Sequence, residues 1–66
     1  MDSMTERRLT IVIPALNEEK GIAHTINAIP REEIEKAGYK TQILVVDNGS
    51  RDRTAEMAAR EGADVI

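Results

Sequence analysis

The sequence predicts an α/β fold in which a β-α-β-α-β unit forms a parallel sheet. Two β-branched segments, residues 9–13 (LTIVI) and 42–46 (QILVV), are apolar on both faces, as the buried strands of parallel sheets are. Residues 63–66 (ADVI) have the pattern of a third strand, and helical patterns separate the three strands. This alternation of strands and helices is typical of a parallel sheet with right-handed crossovers.

The first strand is expected to end at Pro14, which has no backbone N–H to donate. The polar residues 17–19 (NEE) suit the N-terminus of a helix, where oxygen acceptors cap free N–H groups and the helix dipole favours negative charge. A helix ending at Pro30 would have one apolar face, because isoleucines recur at helical spacing: Ile22, Ile26 and Ile29. His24 falls off this face, so we expect its side chain in solvent.

Glycines are expected to end the two later helical segments. Residues 31–37 can form a short helix, and Gly38 follows it at the position where a left-handed backbone conformation is common. The second strand then leads into the polar residues 47–50 (DNGS). Helical signals resume near Asp52 and stop at Gly62.

Length and composition exclude several classes of protein. A chain of 66 residues forms one small domain or a piece of a larger one. Without cysteine it has no disulfide framework, zinc finger or thiol nucleophile. A net charge of −3 and a single aromatic residue, Tyr39, argue against nucleic-acid binding, which uses positive charge and stacking rings. No segment has the apolar character of a signal peptide or a membrane span, so we expect a cytoplasmic protein.

Ligands of open α/β sheets bind beyond the carboxyl ends of the strands, and two loops of this chain meet that condition. The first, residues 14–19, lacks the G-x-G-x-x-G pattern that binds a pyrophosphate, and the chain has no P-loop pattern. Glu18 and Glu19 would repel a phosphate, but their carboxylates can accept hydrogen bonds from ribose hydroxyls or base N–H groups. We therefore expect a nucleotide at this edge to present its base or ribose, with its phosphates elsewhere.

The other loop, residues 47–53, begins with an acid and an amide at the tip of a buried strand. Asp47 and Asn48 are well placed to contact a sugar hydroxyl or a base edge. Three later side chains are expected to serve the turn and the start of the next helix: Ser50, Asp52 and Thr54. The plainer alternative is that Asp47 only shapes the turn and that Glu18 and Glu19 are only charges at a helix N-terminus.

Residues 11–19 (IVIPALNEE) and 45–54 (VVDNGSRDRT) are two motifs at a defined separation. Together they resemble the start of the family 2 glycosyltransferases with the GT-A fold, and the dolichyl-phosphate hexose synthases look closest. The resemblance covers nearly all of residues 9–66 and implies the N-terminal half of a Rossmann-like GT-A nucleotide-binding domain. Residues 1–8 are polar and mixed in charge, and we expect them to form a tail before it. The family's metal-binding D-x-D motif and catalytic base would lie beyond Ile66. The resemblance thus implies a domain truncated before them and inactive by itself.

The resemblance implies a hexosyltransferase whose donor is a nucleotide-sugar, UDP- or GDP-hexose, and whose acceptor is a polyprenyl or dolichyl phosphate or another molecule. The nucleotide-binding residues that it implies are Pro14, Ala15, Leu16, Asn17, Glu18, Asp47 and Asn48. Of these, Asp47 and Asn48 would contact the base or the ribose. The complete enzyme is expected to use Mg²⁺ or Mn²⁺, held by ligands outside this chain, to offset the charge of the leaving nucleoside diphosphate. In full length it is expected to be cytoplasmic and peripheral at the membrane.

Two positions depart from the usual pattern of the family. Leu16 stands where an aromatic residue is common, which removes ring stacking on the base. Asn48 stands where a second acid often follows the first, which leaves the choice between uracil and guanine open. Two other functions remain open as well. One is a non-catalytic mononucleotide-binding α/β module, and the other is a structural unit that self-associates through exposed sheet edges.

Overall fold

A computed structural model describes residues 7–66 as one three-stranded parallel sheet with three helices. In chain order the elements are β1 Arg7–Ala15, α1 Ile22–Asn27, α2 Arg31–Lys36, β2 Tyr39–Asp47, α3 Thr54–Arg60 and β3 Asp64–Val65. The predicted α/β fold and its β-α-β-α-β arrangement are confirmed, and the short helix predicted over residues 31–37 is present in the first crossover as α2. Within the described residues no helix is both long enough and apolar enough to cross a membrane.

The register of the sheet brings the ends of β1 and β2 to the same edge. The two strands pair in parallel from Arg7 opposite Tyr39 to Ala15 opposite Asp47, while β3 pairs with β2 over only two residues. Neighbouring parallel strands point in the same direction. Ala15 and Asp47 therefore lie side by side at the carboxyl edge of the sheet, where open α/β folds bind their ligands.

The core lies between the sheet and the helices α1 and α3. Ile22 and Ile26 of α1 are 2 % and 0 % exposed, and they share one apolar cluster with Ile43 and Val45 of β2. Ala58 of α3 is also fully buried in this cluster. Burial of a single isoleucine side chain stabilises a fold by about 1.5–3 kcal/mol. The isoleucine spacing read from the sequence thus identifies the face of α1 that holds the helix on the sheet.

The chain enters β3 through a Schellman motif at the end of α3. The N–H of Gly62, whose φ is 89°, donates to the carbonyl of Ala59 at 3.0 Å. The N–H of Ala63 donates to the carbonyl of Ala58 at 3.2 Å, which completes the motif. Gly38, with a φ of 100°, follows α2 in the same left-handed conformation. The prediction that glycines end these two helices is confirmed.

β1 extends beyond its predicted bounds at both ends. It begins at Arg7, so Arg7 and Arg8 belong to the strand and not to the predicted polar tail, whose residues 1–6 lie outside the described part of the chain. It also continues through Pro14 to Ala15. No described strand pairs with the other side of β1. Proline is tolerated in an edge strand because its missing N–H can fall where no ladder bond is made.

α1 begins at Ile22, later than the polar residues 17–19 at which the sequence predicts its start. Asn17 has a left-handed backbone conformation, with a φ of 51°, that an α-helix does not contain. The carbonyl of Glu18 then closes a turn by accepting the N–H groups of Gly21 at 3.0 Å and Ile22 at 2.8 Å. The backbone N–H groups of residues 17–19 donate to the side chains of residues 50, 52 and 54, and this tertiary contact overrides the local helix signal.

α1 and α3 cover the same face of the sheet. Right-handed crossovers that step in one direction along a sheet place their helices on one side, and the strand order β1-β2-β3 does not reverse within residues 7–66. The apolar strands predict burial on both faces, but Val12 on the opposite face of β1 is 57 % exposed. A helix would cover that face only if a later crossover stepped in the opposite direction along the sheet, which would reverse the strand order.

Candidate functional site

Two loops meet at the carboxyl edge of the sheet, residues 16–21 (the first loop) and residues 48–53 (the second loop). They join where they leave the strands, because the N–H of Asn48 donates to the carbonyl of Ala15 at 2.9 Å. The parallel register that sets Ala15 opposite Asp47 makes this bond a continuation of the sheet ladder. The structure therefore brings together the two segments in which the sequence predicts a nucleotide site.

Three consecutive N–H groups of the first loop donate to side chains of the second loop and of α3. We call this set of hydrogen bonds the amide clasp. It consists of Asn17 N–H to Ser50 Oγ at 2.9 Å, Glu18 N–H to Thr54 Oγ1 at 2.8 Å and Glu19 N–H to Asp52 Oδ2 at 3.2 Å. Because all three N–H groups already have acceptors, the first loop offers none of them to a phosphate.

Each hydroxyl of the clasp also bonds to a carboxylate. Ser50 Oγ lies in short contact with Asp47 Oδ1, and Thr54 Oγ1 lies in short contact with Asp52 Oδ1. A backbone N–H can only donate and an ionised carboxylate can only accept, so each hydroxyl accepts from the first loop and donates its own proton to the carboxylate. The result is two parallel relays that run from amide to hydroxyl to carboxylate.

Asp52 is the most heavily bonded carboxylate of the site. Its Oδ1 accepts the hydroxyl of Thr54 and the N–H of Thr54 at 3.0 Å, and its Oδ2 accepts the N–H of Glu19. The hydroxyl of Thr54 lowers the pKa of Asp52 most; partial burial opposes this, and the N–H groups of Thr54 and Glu19 lower it further. Asp52 is therefore held as an anion, and both of its oxygens serve the loops.

Asp47 is held on one side only. Its Oδ1 accepts the N–H of Ser50 at 3.1 Å as well as the Ser50 hydroxyl, which closes the turn after β2. Among residues 7–66 its second oxygen has no hydrogen-bond partner. Asp47 thus both shapes the turn, as the plainer alternative holds, and keeps one carboxylate oxygen available to a ligand donor.

Asn17 ties the loops together from the other side. Its Oδ1 accepts the N–H of Arg51 at 2.9 Å, while its own N–H belongs to the amide clasp. Asparagine tolerates the left-handed conformation seen here better than most residues. The predicted ligand residue Asn17 is therefore committed to loop structure through its backbone N–H and its side-chain oxygen.

The remaining predicted site residues differ in exposure. Ala15 is 4 % exposed, so it can present only backbone atoms, and its carbonyl is already bonded to Asn48. Pro14 is exposed and Leu16 is 54 % exposed. Leu16 therefore offers an apolar surface beside the polar groups of the carboxyl edge.

Two of the predicted residues combine exposure with unused polar side chains. The carboxylate of Glu18 and the side-chain amide of Asn48 are exposed and make no hydrogen bond within the described residues. The backbones of both residues are fixed, Glu18 by Thr54 and Asn48 by Ala15. With Asp47 they leave two carboxylates and one amide for a ligand.

Sequence reasoning missed the cross-loop role of three residues: Ser50, Asp52 and Thr54. The predicted turn role is found at Ser50, whose N–H donates to Asp47, and Asp52 accepts the N–H of Thr54 at the start of α3. The N-cap residue of α3 is Arg53, so neither Ser50 nor Asp52 is the cap that the sequence predicts. Their bonds to the first loop span 33 to 36 residues of sequence. The sequence did contain a signal for this role. Side chains with oxygen acceptors stand at every second position, 50, 52 and 54, in the segment that the parallel sheet places next to the N–H groups of the first loop.

Charged side chains near the site are mostly surface features. Arg53 pairs with Glu56 at 2.9 Å, both about half exposed, and their hydrogen bond raises the pKa of Arg53 and lowers that of Glu56. His24 is exposed, as predicted. Within residues 7–66 no group of three or more acidic or histidine side chains is arranged to hold a metal ion.

Comparison with known proteins places the chain among glycosyltransferases. A family model described as Glycosyl transferase family 2 matches residues 10–64. An uncharacterised glycosyltransferase of Mycobacterium bovis is 48 % identical over 58 residues, which cover 88 % of this chain and 23 % of that protein. The 4,4'-diaponeurosporenoate glycosyltransferase of Staphylococcus aureus is 36 % identical over 64 residues, or 97 % of this chain and 16 % of that protein.

A solved structure shares both fold and sequence. The crystal structure of Mycobacterium tuberculosis glucosyl-3-phosphoglycerate synthase aligns with a TM-score of 0.72 and 37 % identity, over 91 % of this chain and 21 % of that one. The chain thus spans between 16 % and 23 % of the length of these three relatives. The fold is that of the Rossmann-like N-terminal portion of such enzymes, and the chain belongs to glycosyl transferase family 2.

Proposed function

We propose that this chain forms the nucleoside-binding part of the donor site of a family 2 glycosyltransferase. In full length the enzyme would transfer a hexose from UDP- or GDP-hexose to an acceptor. The resemblance to dolichyl-phosphate hexose synthases supports a polyprenyl or dolichyl phosphate as that acceptor. The chain contributes binding groups to this reaction, and we assign it no catalytic residue.

The proposal rests on which hydrogen-bonding groups at the carboxyl edge are occupied and which remain available to a ligand. The N–H donors of residues 17–19 are occupied by the amide clasp. Three groups have no hydrogen-bond partner among residues 7–66, namely the carboxylate of Glu18, the second carboxylate oxygen of Asp47 and the side-chain amide of Asn48, and they provide acceptors and one amide. Such a surface suits the hydroxyl groups of a ribose and the N–H groups of a base, and it suits a phosphate poorly. The exposed side chain of Leu16 adds an apolar surface for the base.

Phosphate and metal binding would then fall to other parts of the enzyme. The proposed Mg²⁺ or Mn²⁺ would act there as a Lewis acid toward the leaving nucleoside diphosphate. Its ligands are proposed to lie outside this chain, in the D-x-D motif that the resemblance implies. A cytoplasmic location, peripheral at the membrane in the full-length protein, belongs to the same proposal and rests on the lipid-phosphate acceptor.

Amide NMR spectra of the ¹⁵N-labelled chain test the proposal directly. Spectra would be recorded in one Mg²⁺ buffer with added UDP, GDP, UDP-glucose or NAD. Shifts confined to residues 15–18 and 47–50 with UDP or GDP would support the nucleoside site and identify the base. A spectrum that neither nucleotide changes would contradict it. Equal shifts with NAD would favour the non-catalytic mononucleotide-binding module over a donor site.

Matched substitutions localise the binding. Glu18→Gln keeps the size of the side chain and removes its charge, and we expect it to weaken nucleotide binding by about tenfold, the loss of one charge-assisted hydrogen bond. Glu35→Gln makes the same chemical change on an exposed residue of α2. We expect Glu35→Gln to bind as the unsubstituted chain does. If both substitutions weakened binding to the same extent, net charge and not the carboxyl edge would determine binding.

A further inference from the structure

We propose that Ser50 and Thr54 are positioning residues, which set nucleotide affinity through the groups they hold and not by touching the nucleotide. The inference rests on the proposed nucleoside site and adds two residues that this site does not include. Ser50 acts through Asn17 and Asp47, and Thr54 acts through Glu18. Each therefore connects the first loop to a carboxylate on the other side of the site.

The burial of Thr54 separates positioning from contact. Its side chain is fully buried, at 0 % exposure, so a nucleotide at the surface cannot reach its hydroxyl. That hydroxyl accepts the N–H of Glu18 at 2.8 Å and donates to Asp52. Any effect of the Thr54 hydroxyl on binding must consequently pass through the backbone of Glu18, whose carboxylate is exposed at the carboxyl edge.

The Ser50 relay fixes the second carboxylate of the site. The N–H and the hydroxyl of Ser50 both donate to Oδ1 of Asp47, which sets the orientation of the carboxylate and leaves its other oxygen to a ligand. The same hydroxyl accepts the N–H of Asn17 at 2.9 Å and so holds a residue whose φ is 51°. A carboxylate and a loop that are already ordered lose less conformational entropy on binding.

Substitutions that separate the hydroxyl from the shape of the side chain test the inference. Thr54→Val removes the hydroxyl and keeps the volume, whereas Thr54→Ser keeps the hydroxyl. We expect Thr54→Val to weaken binding of UDP or GDP by about tenfold, as the loss of one hydrogen bond implies, and Thr54→Ser to stay within about threefold of the unsubstituted chain. Ser50→Ala and Ser50→Thr form a second pair. Position 50 is partly exposed, so we expect these substitutions to disturb the fold less than substitutions of the buried Thr54.

Amide hydrogen exchange in the nucleotide-free chain separates a local loss of hydrogen bonds in the first loop from a loss of overall stability. We expect Thr54→Val to speed exchange at the Glu18 amide and Ser50→Ala to speed it at Asn17, while the core amides of β2 keep their protection. Nucleotide binding by Thr54→Val equal to that of the unsubstituted chain would overturn the inference. Equally weak binding by Thr54→Ser and Thr54→Val would overturn it too, because the hydroxyl would then be irrelevant.

Failure of the proposed function has a different signature. If the unsubstituted chain binds neither UDP nor GDP, the nucleoside site itself is wrong, and the positioning role falls with it. If the unsubstituted chain binds and the Thr54 and Ser50 variants bind equally well, the nucleoside site stands and only the positioning role is wrong.

Discussion

The hydroxyl oxygen of Ser50 lies 2.9 Å from the backbone nitrogen of Asn17, a residue 33 positions earlier in the chain. Its proton is donated to the carboxylate of Asp47, so one small side chain satisfies a donor on the first loop and an acceptor at the end of β2. Thr54 repeats this arrangement between Glu18 and Asp52. The carboxyl edge is thus organised by hydroxyl groups that leave the charged side chains of the first loop exposed.

Asn17→Ala should destabilise the chain by about 1–2 kcal/mol. The substitution removes the acceptor of the Arg51 N–H and places alanine in a left-handed conformation that it adopts at a cost of about 1 kcal/mol. Asn17→Gly relieves the conformational strain but still lacks the acceptor, so its stability should fall between the other two proteins. Urea unfolding followed by circular dichroism measures all three. Equal midpoints for Asn17→Ala and the unsubstituted chain would contradict the role assigned to this side chain.

Ile26→Ala should be among the most damaging single substitutions in the described chain. Ile26 is fully buried between α1 and the sheet, and removal of such a side chain costs about 2–5 kcal/mol, a large part of the stability of a small domain. Val12→Ala is the matched control, because Val12 is 57 % exposed and the change should cost about 0.5 kcal/mol or less. Thermal unfolding of both variants checks the difference. Similar losses at the two positions would mean that the core is elsewhere.

Much of this architecture could be predicted from local patterns. The apolar strands, the isoleucines on one face of α1 and the glycines that follow α2 and α3 each act within a few residues, and the structure confirms them. The start of α1 could not be predicted in this way. Residues 17–19 carry a strong helix signal, yet side chains 33 to 36 positions later hold their N–H groups.

The candidate site, too, could be predicted from the sequence only in part. Its position at the ends of β1 and β2 follows from the rule for parallel sheets, and Asp47 and Glu18 are found there with unused oxygens. The burial of the Ala15 side chain could not be read from the motif, since it depends on the side of the strand that the helices cover. The inclusion of Pro14 in β1 could not be predicted either, since it depends on which edge of the strand is paired.

The stability contributed by Asp52 should depend on pH in a defined direction. Hydrogen bonds from Thr54 first, and then from Glu19, lower the pKa of Asp52 in the folded chain below its usual value of about 3.9. A carboxyl with a lowered folded pKa contributes stability that is present above the unfolded pKa and is lost as the pH falls through the folded pKa. The free energy difference between the unsubstituted chain and Asp52→Asn should therefore be largest near neutral pH and shrink below about pH 4.

Urea unfolding of both proteins between about pH 3 and pH 7 measures this difference. The pair Arg53–Glu56 also titrates in the acid range, but it is present in both proteins and cancels from the comparison. Added salt screens that exposed pair and should leave the difference between the two proteins nearly unchanged. A difference that stays constant across the whole pH range would show that Asp52 has no lowered pKa in the folded chain.

Leu16→Tyr should increase nucleotide affinity if the base packs against the first loop. Leu16 is 54 % exposed on the first loop, directly after the end of β1, and it stands where the resemblance leads us to expect an aromatic ring. Stacking of a base on an aromatic side chain is worth about 1–3 kcal/mol, which corresponds to roughly a fivefold to hundredfold gain in affinity. Tyr39→Leu makes the reverse exchange at a residue distant from the carboxyl edge and should leave binding unchanged. Titration of each variant with UDP and GDP decides the matter, because an affinity that Leu16→Tyr leaves unchanged or lowers would place the base away from the first loop.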